Sequence, residues 1–245
     1  MTHEGEHRLW HSLHGLFRSD GDLGTLPALL LTITLTTGIV DATSVLGLGR
    51  VFVGNMTGNV VFVGLALARA PDFSIVLTVT SLVGFVVGAS IGGVTGRRFP
   101  NRGASLRSSC IAQVILVTIA ATLCIPDAHH LSRPTEIVII ALLAVAMGIR
   151  NSMTRWLAVP GLVTNVLTST LTSMAADQGT RSRPDGHLQI FSVGSVLLGA
   201  LLGAELVIHW SILASLAAVV VLLLVVIVSI EYSNRNGHPW LDQAP

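Results

Sequence analysis

No lysine occurs anywhere in this chain, and all fourteen basic residues are arginine. Charged residues of either sign make up only 11% of the 245, against 51% apolar, and mean hydropathy is +0.73. So little charge excludes an ordinary soluble domain, whose surface takes about a quarter of its residues charged. A net charge of +1 leaves no basic field that could recruit nucleic acid. Cysteine is scarce as well. Cys110 and Cys124 fall inside one apolar stretch without CxxC spacing, which excludes a disulfide framework and leaves two buried small side chains. The signatures of common enzymes are missing: no HExxH, no GxSxG and no phosphate-binding loop. GLGR at 47–50 has no further glycine at dinucleotide spacing and no strand pattern before it. Neither an enzymatic activity nor a cofactor is expected.

A cleaved signal peptide is not expected either. The polar lead of residues 1–24 is long, and the apolar run behind it carries Asp41 with no small-residue cleavage pattern. Leu9, Trp10, Leu13, Leu16 and Phe17 give residues 3–17 the apolar side of an amphipathic helix lying on a membrane surface. His3, His7 and His11 repeat at i, i+4, a spacing able to bind metal. With no carboxylate or cysteine partner beside them, they read as a polar interfacial face, and no metal site is predicted.

Eight apolar stretches follow, at 27–48, 51–68, 75–96, 109–125, 136–149 (running on towards 157), 160–175, 188–208 and 211–230. A helix needs roughly 20 residues to cross the hydrocarbon core. The second and sixth stretches are polar in the middle, with Asn55, Thr57 and Asn59 in one and Thr164, Asn165, Thr168 and Thr170 in the other. Arginine placement decides how to count them. If all eight cross, seven arginines fall on each side, against the cytoplasmic excess expected of membrane proteins. If the second and sixth dip in and return, only Arg50, Arg69 and Arg133 are outside and the other eleven are inside. The prediction is therefore an all-α integral membrane protein with six transmembrane helices, two polar re-entrant or broken segments, and a cytoplasmic N-terminus.

The halves resemble each other. GIVDATSVLGLGRVFVGN at 38–55 aligns with GIRNSMTRWLAVPGLVTN at 148–165, a shift of 110 (148 − 38), which sets Asp41 opposite Asn151 and Asn55 opposite Asn165. One inserted residue makes the shift 111, and TGN at 57–59 then faces TST at 168–170, while Gly84, Gly88 and Gly92 face Ser195, Gly199 and Gly203. Residues 25–126 and 134–232 are thus two membrane repeats, flanked by the interfacial segment 1–24 and a polar tail at 233–245. Three crossings per half is an odd number, which implies oppositely inserted repeats, a plan common among secondary transporters and some channels. The two polar segments would then enter from opposite faces, where irregular backbone is tolerated against protein or a hydrated cavity.

Asp41 lies well inside the first apolar stretch, a costly place for a carboxylate unless it meets a cavity or a partner. It could take up a proton or cation as a coupling residue, or make a structural bond to Ser44, Thr57 or broken-helix backbone. Asn55, Thr57, Gly58, Asn59, Asn151, Asn165, Thr168 and Thr170 are candidate substrate-binding residues. Asn and Thr both donate and accept hydrogen bonds and suit a neutral or zwitterionic solute, while Gly54 and Gly58 permit backbone turns. The same amides could instead knit helices together. Gly84, Gly88, Gly92 and Gly96, with Gly199 and Gly203 in the second repeat, form small-residue faces for close helix packing, within the chain or in a homo-oligomer. Glu205 and His209 share a helix face near a span end and read as a solvated pair, with a proton relay as the alternative. Arg150 and Arg155 read as topology-setting charges, with Arg150 also able to neutralise Asp41 or an anion.

The run TGIVDATSVLGLGRVFVGNMTGNVVFVGLALA resembles the YoaK-type family of bacterial multi-pass membrane proteins, a domain of unknown function. That family carries a pattern like GxxDAxSFLxLGxVFxANMTGNxVxLG. Asp41, Ala42, Ser44, Leu48, Gly49, Val51, Phe52, Asn55, Met56, Thr57, Gly58, Asn59 and Gly64 match it. A second pattern, G(L/I)xNxxxRxLxVPGLxTTxLTGTLT, is met by Gly148, Asn151, Arg155, Val159, Pro160, Gly161, Thr164, Leu167, Thr168, Thr170 and Thr172. Val45 departs from the first pattern, and Asn165 and Ser169 from the second. The resemblance covers roughly residues 25–232 and implies a bacterial inner membrane. It brings no activity with it.

The leading expectation is a small secondary transporter whose solute sits between the two polar segments. A passive channel for a small neutral solute is the alternative, and a non-transporting scaffold assembled on the glycine faces is a third class. The partners expected are the lipid bilayer and a small-molecule solute.

Overall fold

A computed structural model of the chain describes residues 25–96, 98, 101–125, 131–157 and 186–235. The histidine-bearing N-terminal segment and the second polar stretch, with Asn165, Thr168 and Thr170, lie outside the described residues. Seven helices and no strand occur among those described: α1 Leu26–Gly47, α2 Met56–Leu67, α3 Ile75–Gly96, α4 Arg102–Leu123, α5 Arg133–Leu157, α6 Gly186–His209 and α7 Ile212–Arg235. All but α2 are long and apolar enough to cross a bilayer. At 12 residues α2 rises only about 18 Å, short of the hydrocarbon thickness. The chain is an all-α multi-pass membrane protein.

The helices are apolar on nearly every side, as lipid contact demands. Leu197, Leu201, Val221, Val225 and Val228 project outward as an apolar surface, whereas Thr34, Ser81, Gln113 and Ser215 are buried. Inside the bundle, hydroxyls bond back to their own helix: Thr34 donates to the Leu30 carbonyl at 2.8 Å and Thr43 to Ile39 at 2.7 Å. The fourth apolar stretch begins at 109, but α4 begins at Arg102. Its polar first turns extend past the apolar core, where Arg107 pairs with Glu231 of α7 at 3.3 Å.

Helix ends gather at two levels. Arg50, at the end of α1, pairs with Asp72, just before α3, at 3.1 Å, and both border an open cavity of about 840 Å³ with Arg133 and Glu136 from the start of α5. At the other level the Thr25 and Ser233 hydroxyls meet at 3.2 Å, joining the start of α1 to the end of α7. Gly96 lies beside Trp156, which brings the ends of α3 and α5 together there as well. Hence Arg50 and Arg133 share one side, with Arg107, Arg155 and Arg235 near the opposite ends. Segment 51–71 leaves and returns at the same level instead of crossing.

The closest helix pairs are α3 with α5 and α1 with α6, each joining a helix of the first half to one of the second. Exchanging α1 with α5, α3 with α6 and α4 with α7 maps the helix packing onto itself: α4–α5 becomes α7–α1, and α3–α4 becomes α6–α7. Glycines make the two main seams. A Cβ placed on Gly88 would overlap the Val145 carbonyl of α5, and one on Gly199 the Leu35 carbonyl of α1. Gly92 and Gly203 repeat this at Ile149 and Ile39, where the gaps would be 2.7 and 2.6 Å. Gly84 meets Ala141 and Ala144. The glycine faces are thus occupied within the chain, which leaves them unavailable to a second copy.

Candidate functional site

The local sequence after α1 cannot continue a helix. Gly49 and Arg50 turn the chain with φ of +78° and +58°, a left-handed conformation that glycine adopts freely and arginine rarely. Residues 51–55 then run back along α1 without helical bonds, and Val51 and Val53 are fully buried. This non-helical backbone would be costly at membrane depth without partners. Asp41 supplies two of them. Its Oδ1 accepts the Val53 N–H at 3.0 Å and the Gly54 N–H at 2.7 Å. Asp41 stands six residues before the end of α1, so the loop penetrates about 9 Å below that end.

Asn59 supplies the rest. It is fully buried, its Oδ1 accepts the Phe52 N–H at 2.9 Å, and its Nδ2 donates to the Phe52 carbonyl at 2.6 Å. Ser81 of α3 donates to that same carbonyl at 2.6 Å and accepts from Asn59 Nδ2 at 3.1 Å. The amide therefore imitates a strand partner for one residue. The Phe52 ring stacks on Phe62 with centroids 5.4 Å apart, and Phe62 packs on Phe73 at 5.0 Å. A Cβ on Gly58 would come within 2.7 Å of the Phe52 ring, so the ring needs glycine there.

Beside this hairpin lies a cavity of about 770 Å³. Asp41, Asn55, Thr57, Gly58 and Asn151 all border it, together with Phe52, Phe85 and Val196. Five sequence-predicted site residues, from α1, the hairpin and α5, are brought to one space. Asn59 is not among them, because its amide is spent on Phe52. Asn55 is the N-cap residue of α2, yet its side chain makes no capping bond and borders the cavity. Asn151 Oδ1 is buried and has no hydrogen-bond partner among the described residues.

Arg150, the neighbour of Asn151, is 2% exposed. Its Nη1 donates to the Ile33 carbonyl of α1 at 2.9 Å, and its guanidinium interacts electrostatically with Asp41. No carboxylate among the described residues lies within 4 Å of it. Glu205 and His209 pair at 3.2 Å with both side chains exposed at the end of α6, and neither borders this cavity. The sequence reading missed Ser81, Phe85 and Val196. Ser81 had a readable signal, since it extends the Gly84–Gly88–Gly92 face by one turn. Phe85 and Val196 had none among so many apolar residues.

The profile described as "Protein of unknown function (DUF1275)" matches residues 29–229. The chain belongs to this family. It is also 33% identical over 152 residues to the UPF0700 transmembrane protein YoaK of Bacillus subtilis (strain 168). That match takes in 61% of this chain and 65% of the relative, just under two thirds of its length. No solved structure matches the chain. The matched family region runs from the first turn of α1 almost to the end of α7, so it includes the hairpin, both glycine seams and the cavity.

Proposed function

We propose that this DUF1275 protein is a small secondary transporter of a polar solute, acting without catalytic chemistry in the bacterial cytoplasmic membrane. One observation carries the reading: a single cavity of about 770 Å³ is bordered by Asp41 and Asn151, the corresponding residues of the two halves, and by the uncapped start of α2. Its volume falls in the range of small-molecule sites. A half-helix starting near mid-membrane, beside irregular backbone, is how many transporters form such a site. The exchange symmetry of the packing supports an inverted repeat, since α1 ends and α5 begins on the same side. The side bearing Arg50 and Arg133 is then external and the N-terminus cytoplasmic, in keeping with the arginine distribution.

Asp41 is the coupling residue in this mechanism. Its charge assists the two bonds that hold the loop at Val53 and Gly54. Uptake of a proton by the carboxylate weakens both bonds and loosens the hairpin lining the site, so protonation and solute access are linked through one side chain. Asn55, Thr57 and Asn151 contact the solute, and Asn59 positions the loop.

The test is uptake into proteoliposomes under an imposed proton gradient, with solutes pooled by chemical class. Saturable uptake driven uphill, lost in Asn55→Ala and uncoupled from the gradient in Asp41→Asn, is the expected outcome. Gradient-independent, non-saturating flux would replace the transporter with a channel. Unchanged pH dependence in Asp41→Asn would remove the coupling role.

A further inference from the structure

We infer that a buried water site between α4 and α5, bounded by Gln113 and Arg150, gives Asp41 a proton route to the face opposite Arg50; the proton role rests on the transport reading above, the water site does not. Polar groups line this seam from both helices. Ser105, Ser109 and Gln113 recur at i, i+4 and i+8 on α4, and none is more than 2% exposed. Arg150 of α5 is equally buried. Gln113 Oε1 and Arg150 Nε are both buried without a hydrogen-bond partner among the described residues. One is an acceptor and the other a donor, each costly to leave unpaired at membrane depth, and a water molecule serves both.

Helix register turns the two groups towards each other. The Ser105 hydroxyl donates to Met153 Sδ at 2.9 Å, which fixes α4 against the antiparallel α5. Four residues on along α4 is Ser109 and three back along α5 is Arg150, so these two lie at nearly one depth. Helical side chains lean towards the N-terminus of their own helix. Gln113 leans back to Ser109, donating to its carbonyl at 3.2 Å, and Arg150 leans the opposite way, towards the level of Gln113. Ile33, Leu106, Cys110 and Met153 share one buried apolar cluster around them. At the site end, Arg150 Nη1 and the Thr37 hydroxyl both donate to the Ile33 carbonyl, at 2.9 and 3.3 Å. Thr37 borders the cavity one helical turn from Asp41. At the far end, Ser105 lies one turn inside the start of α4. Asp41 and Cys110 are the titratable groups facing Arg150, while Glu231 is paired with Arg107 and Glu205 with His209. A coupling carboxylate loaded from one face must unload towards the other. Here the proton passes from the Asp41 carboxyl to water on this track, which leaves an ionised carboxylate, and Arg150 stays a guanidinium throughout.

The experiment is radiolytic hydroxyl-radical labelling of the full-length protein in lipid nanodiscs, in isotopically labelled water. The radicals form from water, so a buried sulfur is oxidised quickly only where water lies beside it. Met153 and Met147 are a matched pair, both on α5 and both 1% exposed, with only Met153 bonded to the track. Met153 is expected to take up the isotope roughly tenfold faster than Met147. Gln113→Leu removes the acceptor and should bring Met153 down to the Met147 rate, whereas Gln113→Glu keeps an acceptor and should not. Equal protection of the two methionines, or a Met153 rate unchanged in Gln113→Leu, would overturn the water site. In proteoliposomes with the pooled solutes, Gln113→Leu should cut uphill uptake roughly tenfold and leave solute exchange at equal pH within twofold. Equal losses in both measurements, or no loss in either, would overturn the proton role. Absence of any uptake by the unmodified protein would remove the transport reading and the proton role together, while Met153 labelling still decides the water site.

Discussion

Asn59, itself fully buried, holds Phe52, seven residues away in sequence, by both of its backbone groups, with amide distances of 2.9 and 2.6 Å. A side chain here does what a neighbouring strand does in a sheet, which is why five residues of non-helical backbone can lie inside a helical membrane protein. Asn59→Ala strands the Phe52 N–H, while Ser81 still serves the carbonyl. A loss of about 2–3 kcal/mol is expected, from the penalty for a buried unpaired group plus the lost bond. The readout is already present, because Cys110 and Cys124 are free and buried, so a thiol-reactive fluorophore reports thermal unfolding. An unchanged midpoint would mean that the amide does not hold the loop.

The two glycine seams should respond alike. Gly88→Ala and Gly199→Ala each place a methyl group against a backbone carbonyl that cannot move without shifting a helix. Each is expected to lower the unfolding midpoint clearly, by a similar amount. Gly64, on the same chain but with nothing within 4 Å of a built Cβ, provides the control. Gly64→Ala should be neutral or stabilising by about 0.5–1 kcal/mol through helix propensity. A Gly64 effect equal to that of Gly88 would show that the seams are not special.

Accessibility labelling tests the hairpin directly. Single cysteines at Ala70 and Ser132 should react with an impermeant maleimide from the same side of the membrane, and one at Arg98 from the other. Arg50 and Asp72 are bonded at 3.1 Å, so the segment between them cannot have crossed. Labelling of Ala70 and Arg98 positions from one side would contradict the fold.

The Thr43–Ser215 hydroxyl bond, at 2.6 Å and fully buried, joins α1 to α7. Interhelical bonds of this kind contribute only about 0.6 kcal/mol on average in membranes, because the separated helices find other partners. A double-mutant cycle with Thr43→Val and Ser215→Ala should return a coupling of that order. Thr43 also donates to Ile39 in its own helix at 2.7 Å, which is the competing partner.

The sequence alone determined the six crossings, the short polar interruption after α1 and the family, because each is written along the chain. A span is a run of apolar residues of sufficient length, and Asn55, Thr57 and Asn59 interrupt such a run however the chain folds. Gly38 meets the Ala200 N–H group as Gly148 meets that of Ala89, across the two seams. Only the tertiary structure decided which amide serves the loop and which faces the cavity. Asn55 and Asn59 are four residues apart and chemically identical, yet one is uncapped at the cavity and the other is consumed by Phe52. Their separation depends on how far the loop descends, and that depth is set by Asp41 binding Val53 and Gly54 on a different element. Hydropathy records whether a residue tolerates lipid. It does not record which of two equal donors reaches a given carbonyl, since that depends on distances created only when α1, α2 and α3 pack.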